Sequence, residues 1–312
     1  MIETVTGASR GKISGKILMH EHICCISNDM LHTFGKRWLD KDVLIEHAAE
    51  ILKELKGRYG VEMIVDGTPI DSGRDIRVLN EVSKKSGIKI VASTGLYSFP
   101  SMITYGRDEK EIASWFLEEY ENGMEGTDIK PGILKCACDD FGITEDNVKR
   151  IGAMGTVQSK TELPLYVHCM HQENTVYKAL KILENKGANP GKTVIGHVGL
   201  RFDAEYLKNI INMGYYVCVD QCHCVPGDAE TIGKTLVKLC EMGLSDKILL
   251  SNDACIYCDF GSWDNVLVKK DEISKGWGYI FEYIYPKFLQ YGGNKIVWDK
   301  MMCENPLKII DN

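Results

Sequence analysis

Six residues of this chain are of types that hold divalent metals or react with carbonyl groups. Five of them fall at or just beyond the end of a short apolar run, and the sixth, Lys135, lies inside one. They are His20 and His22 in LMHEH, Lys135 in GILKCA, His168 in LYVHC, His197 in TVIGH and Asp253 in ILLSND. Imidazole and carboxylate are ligands for zinc and related cations. Residues two apart in a strand point to the same side, so His20 and His22 can enter one site while Glu21 points the other way. A single strand-end histidine is more often a hydrogen-bonded core residue than a ligand. Four of them, joined by a carboxylate, indicate a metal centre. Lys135 is unusual because a buried ammonium is costly unless paired or neutralised. Three readings of it stand: a salt bridge to Asp139 or Asp140, a neutral Schiff-base lysine as in barrel aldolases, or a lysine converted by carbon dioxide into an anionic carbamate. The neighbouring histidines favour the carbamate over the Schiff base, since an aldolase lysine needs none of them.

These residues must be positioned by repeated elements. Eight short apolar runs recur, at Ile17–His22, Met63–Asp66, Ile88–Ser93, Gly132–Ala137, Leu165–His168, Thr193–His197, Tyr216–Val219 and Ile248–Ser251. Short continuous apolar runs are what buried parallel strands look like. Helical segments separate them. Asp42–Lys56 carries Ile45, Ala48, Ala49, Leu52 and Leu55 on one face, with Gly57 as a possible stop. Arg74–Ser86, Glu109–Asn122, Glu145–Lys160 (capped by Thr144), Glu173–Asn185, a helix opened by Asp203, Asp228–Glu241 and Gly278–Gln290 follow. This alternation predicts an α/β fold, a (β/α)8 TIM barrel forming a single domain over 1–312. No glycine-rich dinucleotide turn follows the first strand, which argues against a doubly wound sheet. In such a barrel the site lies at the C-terminal ends of the strands, where these six residues fall.

Composition narrows the surroundings. Across 312 residues, 37 Lys and Arg stand against 44 Asp and Glu, a net charge of −7. That argues against a nucleic-acid surface. No apolar run of about 18 residues is available to span a membrane, and the first residues lack the apolar core of a signal peptide. The twelve cysteines are therefore expected as thiols in a reducing, cytoplasmic setting. Nine of them (Cys24, Cys25, Cys136, Cys138, Cys169, Cys222, Cys224, Cys255 and Cys258) fall at or just after strand ends, which predicts thiols crowding the rim and sensitivity to oxidants and soft metals. Cys255 and Cys258 form a C-x-x-C that could hold a rim zinc if Cys222 and Cys224 supplied the second pair.

The segments MHEHI at 19–23, DSGRDIRVLNEVSKKSGIKIVASTGLY at 71–97, PGILK at 131–135, VHC at 167–169, IGH at 195–197, SND at 251–253 and ENP at 304–306 resemble the phosphotriesterase-type branch of the amidohydrolase superfamily over nearly the whole chain. The resemblance implies two divalent cations, zinc first, with Mn2+, Co2+ or Fe2+ as alternatives. His20, His22 and Asp253 would hold one, His168 and His197 the other, and an N-carboxylated Lys135 with a hydroxide would bridge them. Two close cations lower the pKa of water, so hydroxide is available near neutral pH. Asp253 would accept the proton as the hydroxide attacks.

Substrate is less constrained. Tyr97 stands where lactonase members of the family carry tyrosine and the paraoxon-hydrolysing members carry tryptophan. A phenol there can hydrogen-bond a lactone ring oxygen. The loop over 254–275 offers Tyr257, Phe260, Trp263, Lys269 and Lys270, and Arg201 follows His197 closely enough to meet an anion. The expected substrate is a small lactone or ester, a sugar lactone among them, with phosphoester second. An aldolase using Lys135 and a non-catalytic metal-binding relative are the readings of another class. The family also suggests a homodimer. His171 competes with His168 as ligand, and His223 could reach substrate. For His32 and His47, solvated or packing roles are expected, and for Arg74 a salt bridge at a helix start.

Overall fold

The structure is a computed structural model that describes residues 1–9, 11, 13–139, 142–170, 175–224, 228–260 and 270–311. Nine strands form one parallel sheet: β1 (Lys16–Cys25), β2 (Val61–Asp66), β3 (Lys89–Gly95), β4 (Ile133–Cys138), β5 (Leu165–Cys169), β6 (Thr193–Gly196), β7 (Tyr216–Val219), β8 (Ile248–Leu250) and β9 (Cys255–Cys258). Their order is β8-β7-β6-β5-β4-β3-β2-β1-β9, and helices fill the connections. This is the architecture of a (β/α)8 barrel.

Two apolar layers follow from strand alternation. Ile17, Met19, Met63, Val65, Val91, Ile133, Tyr166, Val194, Tyr216, Cys218 and Leu249 fill the inside, with Ile2, Ile13, Ile309 and Ile310 joining the same cluster. The other parity (Leu18, Ile64, Ile90, Leu134, Val167, Ile195, Val217, Leu250) packs outward against the helices. Strands buried on both faces read as unbroken apolar runs, which is why they were legible.

Four departures from the expected elements matter. The last strand is split. β8 pairs with β7 and β9 pairs with β1, while residues 251–254 bend between them. Asp253 has φ +54°, a left-handed conformation that a strand cannot contain. Barrel closure is completed across the bend, with Asp253 N donating to His20 O at 2.9 Å and His20 N to Ser251 Oγ at 2.9 Å. Glu21 turns away from the barrel interior as expected, but it is fully buried and organises this bend. Its carboxylate accepts from Ser251 Oγ (2.8 Å), Asn252 N (2.8 Å) and Ala254 N (2.9 Å). The first long helix, Lys41–Tyr59, runs through Gly57 and stops at Gly60 (φ +71°), because an interior glycine costs only about 1 kcal/mol, whereas a C-terminal cap needs a left-handed residue. The expected helix Gly278–Gln290 contains a proline. The structure places a wide π turn at Ile280–Ile284 and then Tyr285–Gln290 with Pro286 in its first turn, where the missing N–H is tolerated. Further helical turns, Lys295–Asp299 and Asn305–Ile310, were not anticipated. No described helix is long and apolar enough to cross a membrane.

Arg74 takes the expected structural role. Its side chain is buried, and it donates to Glu119 Oε2 at 3.0 Å and Glu125 Oε1 at 2.9 Å. Arg74→Ala would strand two partly buried carboxylates. The expected loss is about 3–5 kcal/mol in urea unfolding, with turnover per folded molecule unchanged. A loss below about 1 kcal/mol would show that solvent already screens the pair.

Candidate metal centre

The C-terminal ends of the strands bring all six predicted residues together. In β1 a register irregularity between Leu18 and Glu21 lets Met19 face the barrel interior and His20 follow it there. Bulges of this kind re-aim side chains beside active sites. Room for His20 is made by Gly67, where a Cβ would lie 2.5 Å from His20 Cδ2. Lys135 and His168 arrive by regular alternation, two residues beyond Ile133 and Tyr166. His197 (φ +63°) and Asp253 sit in left-handed turns just past their strands, a cost of about 1–3 kcal/mol each that surrounding structure must offset.

Each imidazole is tied on one nitrogen, and this assigns the other. His20 Nδ1 donates to Asp220 Oδ2 at 3.1 Å, and His197 Nδ1 donates to Asp220 Oδ1 at 2.8 Å. His22 Nδ1 shares a hydrogen bond of 2.8 Å with Thr68 Oγ1, which leaves Nε2 facing the site. His168 Nε2 faces the Tyr97 hydroxyl at 3.1 Å, and that hydroxyl donates to Asp139 Oδ2 at 2.6 Å. The lone pairs left over are His20 Nε2, His22 Nε2, His168 Nδ1 and His197 Nε2, and they converge on one space. His168 Nδ1 and His197 Nε2 are 2.7 Å apart, and His22 Nε2 is 3.0 Å from Asp253 Oδ1. Acceptors this close repel unless a cation or proton stands between them. Fixing the second nitrogen in this way is how proteins hold metal-binding histidines. The donor set therefore fits divalent cations, with His20, His22 and Asp253 as one group of ligand atoms. A second carboxylate grouping, His20, His197 and Asp220, lies on the rear nitrogens. Those nitrogens already donate to Asp220, so it is a fastener for two ligands.

Lys135 is fully buried, and its Nζ lies 2.5 Å from His20 Nε2 and 4.5 Å from the Tyr166 ring centroid. Among the described residues no carboxylate is within 4 Å of it, so the expected salt bridge to Asp139 does not form, and Asp140 lies outside the described residues. Burial lowers its pKa, favouring the neutral amine, the form that reacts with carbon dioxide. Burial also lowers His20 to about 3 and His168 to about 4, keeping both uncharged at neutral pH with one ring nitrogen unprotonated. For His22 burial is outweighed by Cys25 and Asp253, and its pKa rises. Burial alone would raise Asp253 and Asp220, but facing imidazoles overcome it and hold both well below the usual carboxylate range.

Asp220 was missed by sequence reasoning. The signal was available: Tyr216 and Cys218 face the barrel interior, and Asp220 continues that parity. Gln221, whose Nε2 donates to Asp253 Oδ2 at 2.7 Å, was missed too.

The substrate candidates divide. Tyr97 stands at the centre, on His168. Arg201 is exposed, and its guanidinium lies 4.3 Å from the Tyr206 ring centroid, a surface stacking role. Tyr257 is buried in β9 and donates to Trp38 O at 2.9 Å, so it supports the wall. Trp263, Lys269 and His171 lie outside the described residues, as does the side chain of Lys270. His223 is half-buried beside Cys224, and His32 lies exposed on a short helix, not in a loop. Only part of the expected crowding of thiols at the rim is seen. Cys136, Cys138, Cys169 and Cys222 turn outward into the strand–helix layer, whereas Cys218 faces the barrel interior. A cleft of about 800 Å³ opens beside Tyr97, lined by Met30, Trp38, Ile70, Phe99, Ile103 and Phe260 together with polar groups and the carboxylates Asp29, Asp71 and Asp259. No lysine or arginine is among its described lining residues.

Comparison with known proteins places this geometry. The model of the phosphotriesterase family matches residues 1–310. An aryldialkylphosphatase of Saccharolobus solfataricus is 32% identical, covering 94% of each chain. A phosphotriesterase homology protein of Mycobacterium tuberculosis is 30% identical over 95% of this chain and 93% of its own. An N-acetyltaurine hydrolase of Xenopus tropicalis is 25% identical over 98% and 96%.

Proposed function

Because the chain belongs to the phosphotriesterase family, we propose that it is a hydrolase using two divalent cations, zinc first, and acting on lactones, with phosphotriesters as a secondary substrate. The observation that carries this reading is the convergence of four imidazoles and Asp253 on Lys135, a buried amine whose pKa burial lowers. Lys135 as its carbamate would join the two halves of the ligand set. When bound, two cations would polarise a substrate oxygen and lower the pKa of water. The remaining work falls to this chain's own residues. Asp253, kept ionised and held by Gln221, is positioned to take a proton. The Tyr97 hydroxyl, bonded to Asp139 and His168, would meet a ring oxygen or leaving alkoxide by giving up its bond to Asp139. Among the described residues the cleft carries apolar side chains and carboxylates, which suits a substrate with an apolar arm. The relative named aryldialkylphosphatase supports the phosphotriester activity.

The test is a panel of lactones, phosphotriesters and N-acyl amides assayed on zinc-loaded protein, with metal content measured alongside. Lactones should give the highest kcat/KM, and Tyr97→Phe should lower it about 10-fold or more by removing one donor to developing charge. Preference for an anionic amide, or an unchanged Tyr97→Phe enzyme, would move the reading away from lactones.

A further inference from the structure

The C-x-x-C of β9 does not meet Cys222 and Cys224. Cys222 is buried, its thiol 3.8 Å from Asp220 O, and Cys224 is exposed, its sulfur 3.6 Å from His223 Nε2. The thiol that does meet the C-x-x-C is Cys25, the last residue of β1. Its sulfur is 3.8 Å from Cys255 Sγ, and the Cys255 thiol also contacts that of Cys258. Cys25 and Cys258 stand opposite each other in the β1–β9 ladder. Cys25 is buried, Cys255 and Cys258 are half-buried, and all three are free.

We propose that Cys25, Cys255 and Cys258 form a site for one thiophilic cation of the zinc and cadmium class, adjacent to the imidazole centre. Two thiolates on one tetrahedral zinc, each at about 2.3 Å, stand about 3.8 Å apart. Cys25 and Cys255 already have that separation. A disulfide between them is a poor alternative. Cys255 pairs with His22, three residues before Cys25. At about 3.3 Å per residue that offset carries the α-carbons beyond the ~7 Å a disulfide tolerates. A metal spans the gap because it lets each sulfur stay where it is. The neighbouring carboxylate, Asp259, is engaged elsewhere, accepting from Ser27 N at 2.9 Å and Trp38 Nε1 at 2.7 Å. Cys25 also meets His22, which belongs to the imidazole centre, so the ligands left to this site are the three sulfurs, a set that selects soft cations over magnesium or calcium. Entry is open, since Asp259 and Phe260, next to Cys258, line the 800 Å³ cleft. Binding releases the thiol protons to solvent.

The experiment titrates cadmium chloride into reduced protein whose imidazole centre is saturated with zinc. It follows thiolate-to-cadmium absorption together with the zinc and cadmium retained per chain. Wild-type protein should take one further equivalent with thiolate absorption. Cys255→Ser and Cys258→Ser should each weaken it about 10-fold or more while keeping the zinc complement, and Cys222→Ser should change nothing. Cys258→Ser, at the more open end, carries the test if Cys255→Ser does not fold. Cadmium uptake without sulfur absorption, uptake by both serine variants as tight as that of the wild type, or loss of the thiols to a disulfide with no cation retained would each overturn the site.

Discussion

Asp253→Asn is expected to lower turnover by about 10²–10⁴-fold while leaving the barrel folded. Asp253 Oδ1 stands 3.0 Å from His22 Nε2, and Oδ2 accepts from Gln221 at 2.7 Å. Asparagine keeps the shape but removes the charge that three imidazoles favour. It also removes the basic oxygen. The backbone bond from Asp253 N to His20 O is untouched, so the bend that closes the barrel persists. Metal content and kcat should be measured on the same preparation, because the substitution acts on both. Full metal content with full turnover would remove Asp253 from the mechanism. Lost turnover with both metals retained would assign it to proton transfer.

The second large effect is expected from Asp220→Asn, at a residue that touches neither metal nor substrate in the proposed arrangement. Its four acceptor positions are all used: His197 N and His197 Nδ1 on one oxygen, His20 Nδ1 and Tyr166 OH on the other. An amide exchanges acceptors for donors on one side, so a buried donor must face a donor. Either His20 or His197 then loses the partner that keeps its lone pair on the metal side. Metal affinity should fall about 10–100-fold, and excess zinc should recover part of the activity. A merely structural residue would lower the folded fraction without moving the zinc dependence, so a zinc titration of activity separates the two. Folding should depend on pH through the same residue. The Asp220 pKa is depressed in the folded state, so its contribution is complete above the ordinary aspartate value near ~4 and declines as pH falls below it. The Asn variant should lack that part of the acid transition.

Much of this site could be read before any fold was known, and the reason is local. A parallel strand buried on both faces is an apolar run, and a polar residue that ends such a run is conspicuous. His20, His22, His168, His197 and Asp253 all have that form, and Lys135 is conspicuous as a charge inside a run. Asp220 has it as well, but a carboxylate after a strand is common in loops, and nothing local distinguishes it. Its importance comes from His20 and His197, 200 and 23 residues away. The same holds for the thiols. Spacing suggested Cys222 and Cys224 as partners of the C-x-x-C, whereas pairing of β9 with β1 supplied Cys25.

The amino-acid sequence by itself determined the barrel, the number of repeats before the last, and the residue types delivered to its rim, because alternation and capping act within a few residues. Only the tertiary structure decided three further matters. Closure of the barrel splits the last strand at Asp253, with Glu21 holding the bend. One buried carboxylate, Asp220, sets the tautomers of two histidines on opposite sides of the site. Lys135 has no counter-ion among the described residues and lies against His20, which favours the neutral amine. Each depends on which strands become neighbours when the sheet closes, and no pattern within a single strand carries that information.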